Sequence, residues 1–91
     1  MRYRHITSNL VSVEVSRTST GNNSAVSGGL VMAGIPFDVA FSQSIHCVME
    51  VAGTNVGNGR AMLADNNGLY LYTPAYGNSV TYKAFGIVAV E

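Results

Sequence analysis

Apolar and polar residues alternate at every second position along most of this chain. Val11, Val13 and Val15, for example, alternate with Ser12 and Glu14. Successive side chains of a β-strand point to opposite faces of the sheet, so this spacing gives an extended segment one apolar face and one polar face. No segment shows the spacing of apolar residues that marks an amphipathic helix. The sequence therefore predicts an all-β protein.

Turn-forming residues divide the alternating pattern into about seven predicted strands. The run Asp65-Asn66-Asn67-Gly68 predicts a tight hairpin, because asparagine and glycine tolerate the positive φ that such hairpins need. We also expect a turn over residues 53–59, which include three glycines and two asparagines. The predicted strands cover residues 9–18, 25–33, 35–41, 43–52, 60–64, 69–73 and 80–91.

Some predicted segments carry local exceptions to the pattern. The adjacent Gly28 and Gly29 predict a bulge or bend in their strand. Pro36 cannot donate a backbone hydrogen bond, so residues 35–41 form an edge strand or an extended crossing loop. Residues 1–8 are predicted as a flexible or extended N-terminal segment of one domain that spans residues 1–91. The regular spacing of turns favours an antiparallel β-sandwich.

Charge and composition exclude several classes of function. Five basic and five acidic residues give no net charge, so no basic surface for nucleic acid is predicted. Only 11% of the residues are charged, against about 25% in ordinary globular chains. Much neutral or apolar surface is therefore left for a partner to cover. No segment approaches the ~18 apolar residues of a membrane helix, and residues 1–10 lack the apolar core of a signal peptide. We predict a product made in the cytoplasm without a signal peptide, or a fragment cut from a longer protein.

The ionisable residues form no catalytic pattern. His46 and Cys47 are adjacent on one strand and point to opposite faces, so they cannot form a dyad within that strand. Cys47 alternates with apolar residues, which predicts a buried, inert thiol. As the only cysteine, it excludes an internal disulfide and a zinc site built from cysteines. No two of the five acids form an evident catalytic pair. We predict no enzymatic activity, no metal and no cofactor.

The last predicted strand is apolar on both faces. One face carries Val80, Tyr82, Ala84, Val88 and Val90, and the other carries Phe85, Ile87 and Ala89. A strand of this kind is usually covered on both faces. A second subunit would supply the cover, and a loop of the same chain is the alternative. We predict an oligomer whose interface residues are Tyr70, Tyr72, Tyr82, Val88 and Val90.

Tyrosine accounts for five of the eight aromatic residues, and it suits both protein interfaces and sugar faces. Tyr76 lies in a predicted turn beside Asn78, with no charged residue nearby, where its ring could stack on a neutral sugar. Asn55 lies in another predicted loop. We predict Tyr76, Asn78 and Asn55 as ligand-binding residues, with loops at one end of the domain making the contacts. Tyr70 and Tyr72 would serve a subunit interface or a glycan site.

The segments that follow residue 29 resemble a known class of domain. They are GLVMAGIP at 29–36, GRAML at 59–63 and NGLYLY at 67–72, followed by a Gly-Asn turn and a valine-rich last strand. This succession is similar to the C-terminal head domains of bacteriophage tail-fibre and baseplate proteins. The resemblance covers roughly residues 30–91, and it is a pattern of strands and turns rather than a short motif.

This resemblance implies a jelly-roll-like sandwich that trimerises and is displayed on a phage or prophage particle. Such heads touch other virion proteins and a host surface, often a saccharide, and they usually follow a long trimeric shaft, for which this chain has no room. We therefore expect a non-catalytic homotrimeric head that binds a host-surface glycan. Two alternatives stay open: a capsid decoration or assembly protein, and a monomeric carbohydrate-binding module.

Overall fold

The computed structural model describes all 91 residues and contains seven strands and no helix. The strands are β1 (Arg2–Thr7), β2 (Leu10–Ser19), β3 (Val26–Ala33), β4 (Gln43–Val51), β5 (Thr54–Leu63), β6 (Gly68–Thr73) and β7 (Val80–Ala89). They form a single sheet in the order β1-β2-β7-β4-β5-β6-β3, and every neighbouring pair is antiparallel. The all-β, antiparallel, seven-stranded prediction is confirmed. The two-sheet sandwich is not, because all seven strands belong to one sheet.

The sheet curls around its own inner face, where the core lies. Although four strands separate β2 from β3 in the sheet, Val15 of β2 and Val31 of β3 line one small apolar cavity. The core consists of 16 buried residues. Most of them are the inward-facing residues of β2, β4, β5, β6 and β7, to which Ile35 and Val39 are added from the segment between β3 and β4. Curling therefore lets one sheet enclose an apolar interior without a second layer.

Seven strands were predicted and seven are present, but one predicted strand is absent and one observed strand was not predicted. Residues 2–7 form β1, which pairs with the first half of β2 across the Ser8–Asn9 turn. This segment is extended, as one of the two predicted forms of the N-terminal segment. Residues 35–41 form no strand and instead cross between strands as a loop, which Pro36 favours. A single bridge between Val39 and Val90 ties this loop to the end of β7.

The turn predicted over residues 53–59 is wrong, because β5 begins at Thr54. The hairpin from β4 to β5 turns at Ala52 and Gly53, whose φ values are 49° and 82°. Positive φ at both central residues is typical of the tight turns that match the twist of a sheet. The later glycines of this run lie within β5, where their missing side chains leave room. A Cβ at Gly57 would lie 3.1 Å from the sulfur of Met49.

Two other turn predictions are confirmed. In the hairpin between β5 and β6, Asn67 has φ 64° and the Asn66 side chain accepts a hydrogen bond from the Gly68 amide at 2.9 Å. In β3, the pairing with β6 shifts between Ser27 and Gly29, which is a bulge at Gly28. Gly28 has φ 78°, a conformation that suits glycine. Both features come from residue types that accept positive φ.

Candidate binding surface

One row of side chains crosses the outer face of all seven strands. Residues that pair directly across neighbouring strands lie side by side on one face of the sheet. The registers of the six strand pairs connect Arg2, Glu14, Phe85, His46, Arg60, Tyr72 and Ser27, in that order across the sheet. We name four consecutive members, Phe85, His46, Arg60 and Tyr72, the aromatic–cation row.

Neighbouring side chains of the aromatic–cation row contact each other directly. The rings of His46 and Phe85 meet edge to face, with centroids 5.9 Å apart and planes inclined at 76°. The guanidinium carbon of Arg60 lies 4.1 Å from the centre of the Tyr72 ring. Such a cation–π contact contributes about 0.5–1 kcal/mol at an exposed site. These contacts hold two aromatic rings and two nitrogen-rich groups in fixed positions on exposed sheet.

An exposed apolar patch overlaps this row at Phe85. Its members are Leu10 of β2 and Phe85 and Ile87 of β7, which are 38%, 48% and 61% exposed. Leu10 pairs with Ala89 and Ser12 pairs with Ile87, so Leu10 and Ile87 lie diagonally on neighbouring strands, and Glu14 lies opposite Phe85. We name Leu10, Phe85 and Ile87 the outer patch. Large apolar side chains grouped in this way mark surfaces that bind other molecules.

Most basic residues of the chain lie on this same outer face. Arg2 and Arg4 pair with Glu14 and Ser12 of β2, and Arg60 lies in the aromatic–cation row. Lys83 forms the only salt bridge of the chain, with Glu50 at 3.0 Å. Both groups are partly exposed to water, so the pair contributes little to stability. The outer face thus combines an apolar centre with charged groups of both signs around it.

The structure corrects the predicted oligomer interface. Tyr82, Val88 and Val90 are 6%, 1% and 5% exposed, because they point inward into the core of the single chain. They are therefore not accessible to a partner of the folded protein. Tyr70 and Tyr72 lie on the outer face and are half-buried, opposite the buried Leu69 and Leu71. The apolar residues of β7 that face outward are Phe85, Ile87 and Ala89.

Sequence reasoning placed both faces of β7 correctly but did not decide which of them points outward. The deciding signal was Lys83, which shares its face with Phe85 and Ile87. A lysine is almost never fully buried without a partner, so its face belongs to the outside. Arg60 is likewise almost never fully buried unless paired, so its face of β5 also belongs to the outside.

The three residues predicted to bind a ligand lie at one end of the sheet. This end carries the β2–β3 loop, the β4–β5 turn and the β6–β7 loop. Tyr76 exchanges two backbone hydrogen bonds of 2.8 Å with Asn23 and packs, half-buried, against the core. Asn78 and Asn55 are exposed, but Asn55 lies within β5 and its side chain accepts a hydrogen bond from the Gly57 amide at 2.9 Å.

The two groups with possible chemical reactivity are separated by the sheet. Cys47 is fully buried on the inner face, and burial raises the pKa of its thiol above the ordinary value. His46 is exposed on the outer face beside Phe85 and pairs across the sheet with Arg60. No group of three or more histidine, cysteine or acidic side chains is arranged to hold a metal ion. The outer face instead presents apolar side chains, charged groups and aromatic rings that can bind another molecule.

No protein-family model, curated protein or solved structure matches this chain. The structure has no helix that is long and apolar enough to cross a membrane. The surface geometry is therefore the basis for a functional proposal.

Proposed function

We propose that this chain is a non-catalytic assembly module that associates with further copies of itself through the outer face of its sheet. The observation that carries the proposal is the outer patch, which leaves three large apolar side chains together in water on regular strands. The resemblance to phage fibre and baseplate heads supplies the proposed setting, a virion structural protein, and the proposed number of copies, three.

The chemistry of the patch favours a second copy as its occupant. An apolar patch gains most from an apolar partner, since water is then released from both surfaces. Covering the exposed parts of Phe85 and Ile87 would contribute about 1 kcal/mol for each side chain, from the area removed from water. Charged residues of both signs, Arg2, Glu14 and Arg60, lie in the same row as Phe85. A surface with both signs can match a copy of itself.

The test is the solution mass, measured by light scattering on a sizing column across a dilution series. We expect three times the chain mass for the wild-type protein. The double variant Phe85→Ser, Ile87→Ser is expected to elute as a folded monomer. The matched control is Phe41→Ser, which removes a ring that is 58% exposed but lies in the β3–β4 loop and not on a strand. A monomeric wild type, or a double variant that still associates, would contradict the proposal.

A second candidate function, recognition of a host-surface glycan, rests on a cleft at the loop end of the sheet. This cleft has a volume of about 210 Å³, and its lining includes Glu50, Ser79 and Thr81. Carboxylate and hydroxyl groups can hydrogen-bond to sugar hydroxyls. The predicted Asn78 lies next to Ser79, whose amide donates to the Asn78 side chain at 2.9 Å.

Binding to a glycan array separates this candidate from assembly alone. If the cleft binds sugar, Asn78→Ala and Ser79→Ala should weaken binding while the monomer stays folded. Tyr76→Ala is a poorer probe, since the Tyr76 ring also packs against the core and its loss would reduce stability. An array that shows no binding by the wild-type oligomer would leave assembly as the function.

A further inference from the structure

We infer that the gap between β2 and β3 binds an extended acidic–apolar peptide, which adds a strand to the sheet. The gap is flanked by two strand edges. β1 covers only residues 10–14 of β2, so Val15–Ser19 has no neighbour on that side. β3 ends the sheet at the other side and pairs only with β6. Both edges line one groove of about 110 Å³, to which Arg17 and Ser19 contribute from β2 and Val26 and Val31 from β3.

The backbone of β2 has unpaired groups that face this gap. The Val90 amide donates to the Asn9 carbonyl at 3.0 Å, which fixes the alternation of hydrogen bonds between β2 and β7. In an antiparallel pair, every second residue bonds to the neighbouring strand and the residues between them point away. Odd-numbered residues of β2 thus bond to β7, and the amides and carbonyls of Ser16 and Thr18 face the gap. Such an edge is a template for a further strand.

The groove behind the edge selects apolar side chains. The buried residues Leu71 and Tyr82 also line it. A second, smaller cavity of about 20 Å³ lies behind it and shares Arg17, Val31, Leu71 and Tyr82 with the groove. Every lining residue of this smaller cavity except Arg17 is apolar. A strand in the gap would direct alternate side chains toward this apolar interior.

Arg17 adds a charge requirement. It is the one basic residue whose strand position faces the inner side of the sheet, where it pairs with the buried Tyr82. It forms no salt bridge, since Lys83 and Glu50 make the only one. A carboxylate on the added strand, at the position opposite Arg17, would complete a charge-assisted hydrogen bond. The occupant is therefore an extended peptide with an acidic residue between two apolar residues at alternate positions.

The probe is the labelled peptide acetyl-Thr-Val-Thr-Glu-Thr-Val-Thr-amide, whose binding is followed by fluorescence anisotropy. Its Val-Glu-Val face is the same in either strand direction. We expect saturable binding to the wild-type protein. The variant Arg17→Glu should bind this peptide at least about tenfold more weakly, because a hydrogen bond to a charged group contributes about 1.5–3 kcal/mol. A peptide with lysine in place of glutamate should show the reverse preference.

Substitutions at Thr18 test the strand geometry. Thr18→Pro removes the amide that faces the gap, and proline is tolerated on a strand edge, so the protein should stay folded but lose peptide binding. The matched control Thr18→Val removes only the hydroxyl, which lies 3.2 Å from that of Thr81, and should bind like the wild type. Loss of binding with Thr18→Pro but not with Thr18→Val supports the inference.

The inference would be overturned by no binding of the glutamate peptide at millimolar protein, by equal binding to Thr18→Pro, or by no preference between the glutamate and lysine peptides. If the wild type dimerises without peptide and Thr18→Pro abolishes that dimer, a second copy occupies the gap and the peptide proposal fails. The double variant Phe85→Ser, Ile87→Ser should bind the peptide normally, because its changes lie on the outer face. The assembly proposal and the peptide proposal can thus be contradicted independently of each other.

Discussion

The inner and outer faces of the sheet are built from the same strands but differ in chemistry. On the inner side of β4, Ile45, Cys47 and Met49 are buried, whereas His46 on the outer side is exposed. Inner side chains are held by close packing, which leaves little freedom in their size. Outer side chains are held by a few cross-strand contacts, such as the one between His46 and Phe85. We therefore expect stability to depend mainly on the inner face and binding on the outer face.

The largest expected difference between the faces concerns truncation of a large side chain. Leu63→Ala removes a fully buried side chain from the core and should cost about 2–5 kcal/mol of the free energy of unfolding. Ile87→Ala on the outer face, where the residue is 61% exposed, should cost less than about 0.5 kcal/mol. Urea unfolding, measured at a protein concentration at which both proteins are monomeric, checks this. Equal losses in the two variants would contradict the expected difference between the faces.

Inner glycines test how tightly that face is packed. A Cβ at Gly59 would overlap the Tyr72 carbonyl oxygen and lie 2.9 Å from a methyl group of Thr73. Gly59→Ala should therefore reduce the free energy of unfolding by about 1–3 kcal/mol. The control is Gly77→Ala in the β6–β7 loop, where the nearest atom lies 4.0 Å away. We expect that control to change the midpoint of thermal unfolding very little, and a stable Gly59→Ala protein would show a looser interior.

Thr73 is a polar exception on the inner face. It is 6% exposed, and its hydroxyl oxygen is buried without a hydrogen-bond partner. Leaving a buried polar group unpaired costs about 1–3 kcal/mol. Thr73→Val replaces the hydroxyl with a methyl group and should stabilise the protein by about 1 kcal/mol. A clear loss of stability in thermal unfolding would mean that the hydroxyl has a favourable role.

Cys47 gives the inner face a dependence on pH. Burial raises the pKa of its thiol in the folded chain above the unfolded value of about 8.5. The neutral thiol is thus favoured by folding, and this contribution is fully present below the unfolded pKa and is lost as the pH rises through the folded pKa. Wild-type stability should fall more steeply above about pH 8.5 than that of Cys47→Ala. Parallel pH profiles of the two proteins would contradict this.

The sequence was most informative where one residue type decides the local structure. Alternation located six of the seven strands, and Asn67 and Gly68 located the β5–β6 hairpin. The turn predicted over residues 53–59 was wrong at Gly57 and Gly59. A glycine that allows a turn and a glycine that leaves room for Met49 or Tyr72 look identical in sequence. The difference depends on which strand lies alongside, which is a long-range property of the fold.

The candidate surface was only partly predictable for a similar reason. Tyr72 was assigned to an interface, and it does lie on the outer face, next to Arg60. Tyr82 was assigned to the same interface but lies in the core. Both are tyrosines on strands in which side chains alternate between the two faces. Only the pairing of β7 with β2 and β4 determines which side of β7 faces inward. The members of a cross-strand row can be identified only once the strand order is known.

The strand order also has a consequence for how the chain folds. β7 lies between β2 and β4, so it alone joins the β1–β2 hairpin to the four strands β4, β5, β6 and β3. Its pairing with β2 begins with Leu10 and Ala89, at nearly opposite ends of the sequence. Contacts of such high sequence separation slow folding, because a long loop must close before they form. Until β7 has been synthesised, the β1–β2 hairpin and the other four strands stay unpaired with each other. The edges of β2 and β4 are then exposed to other chains.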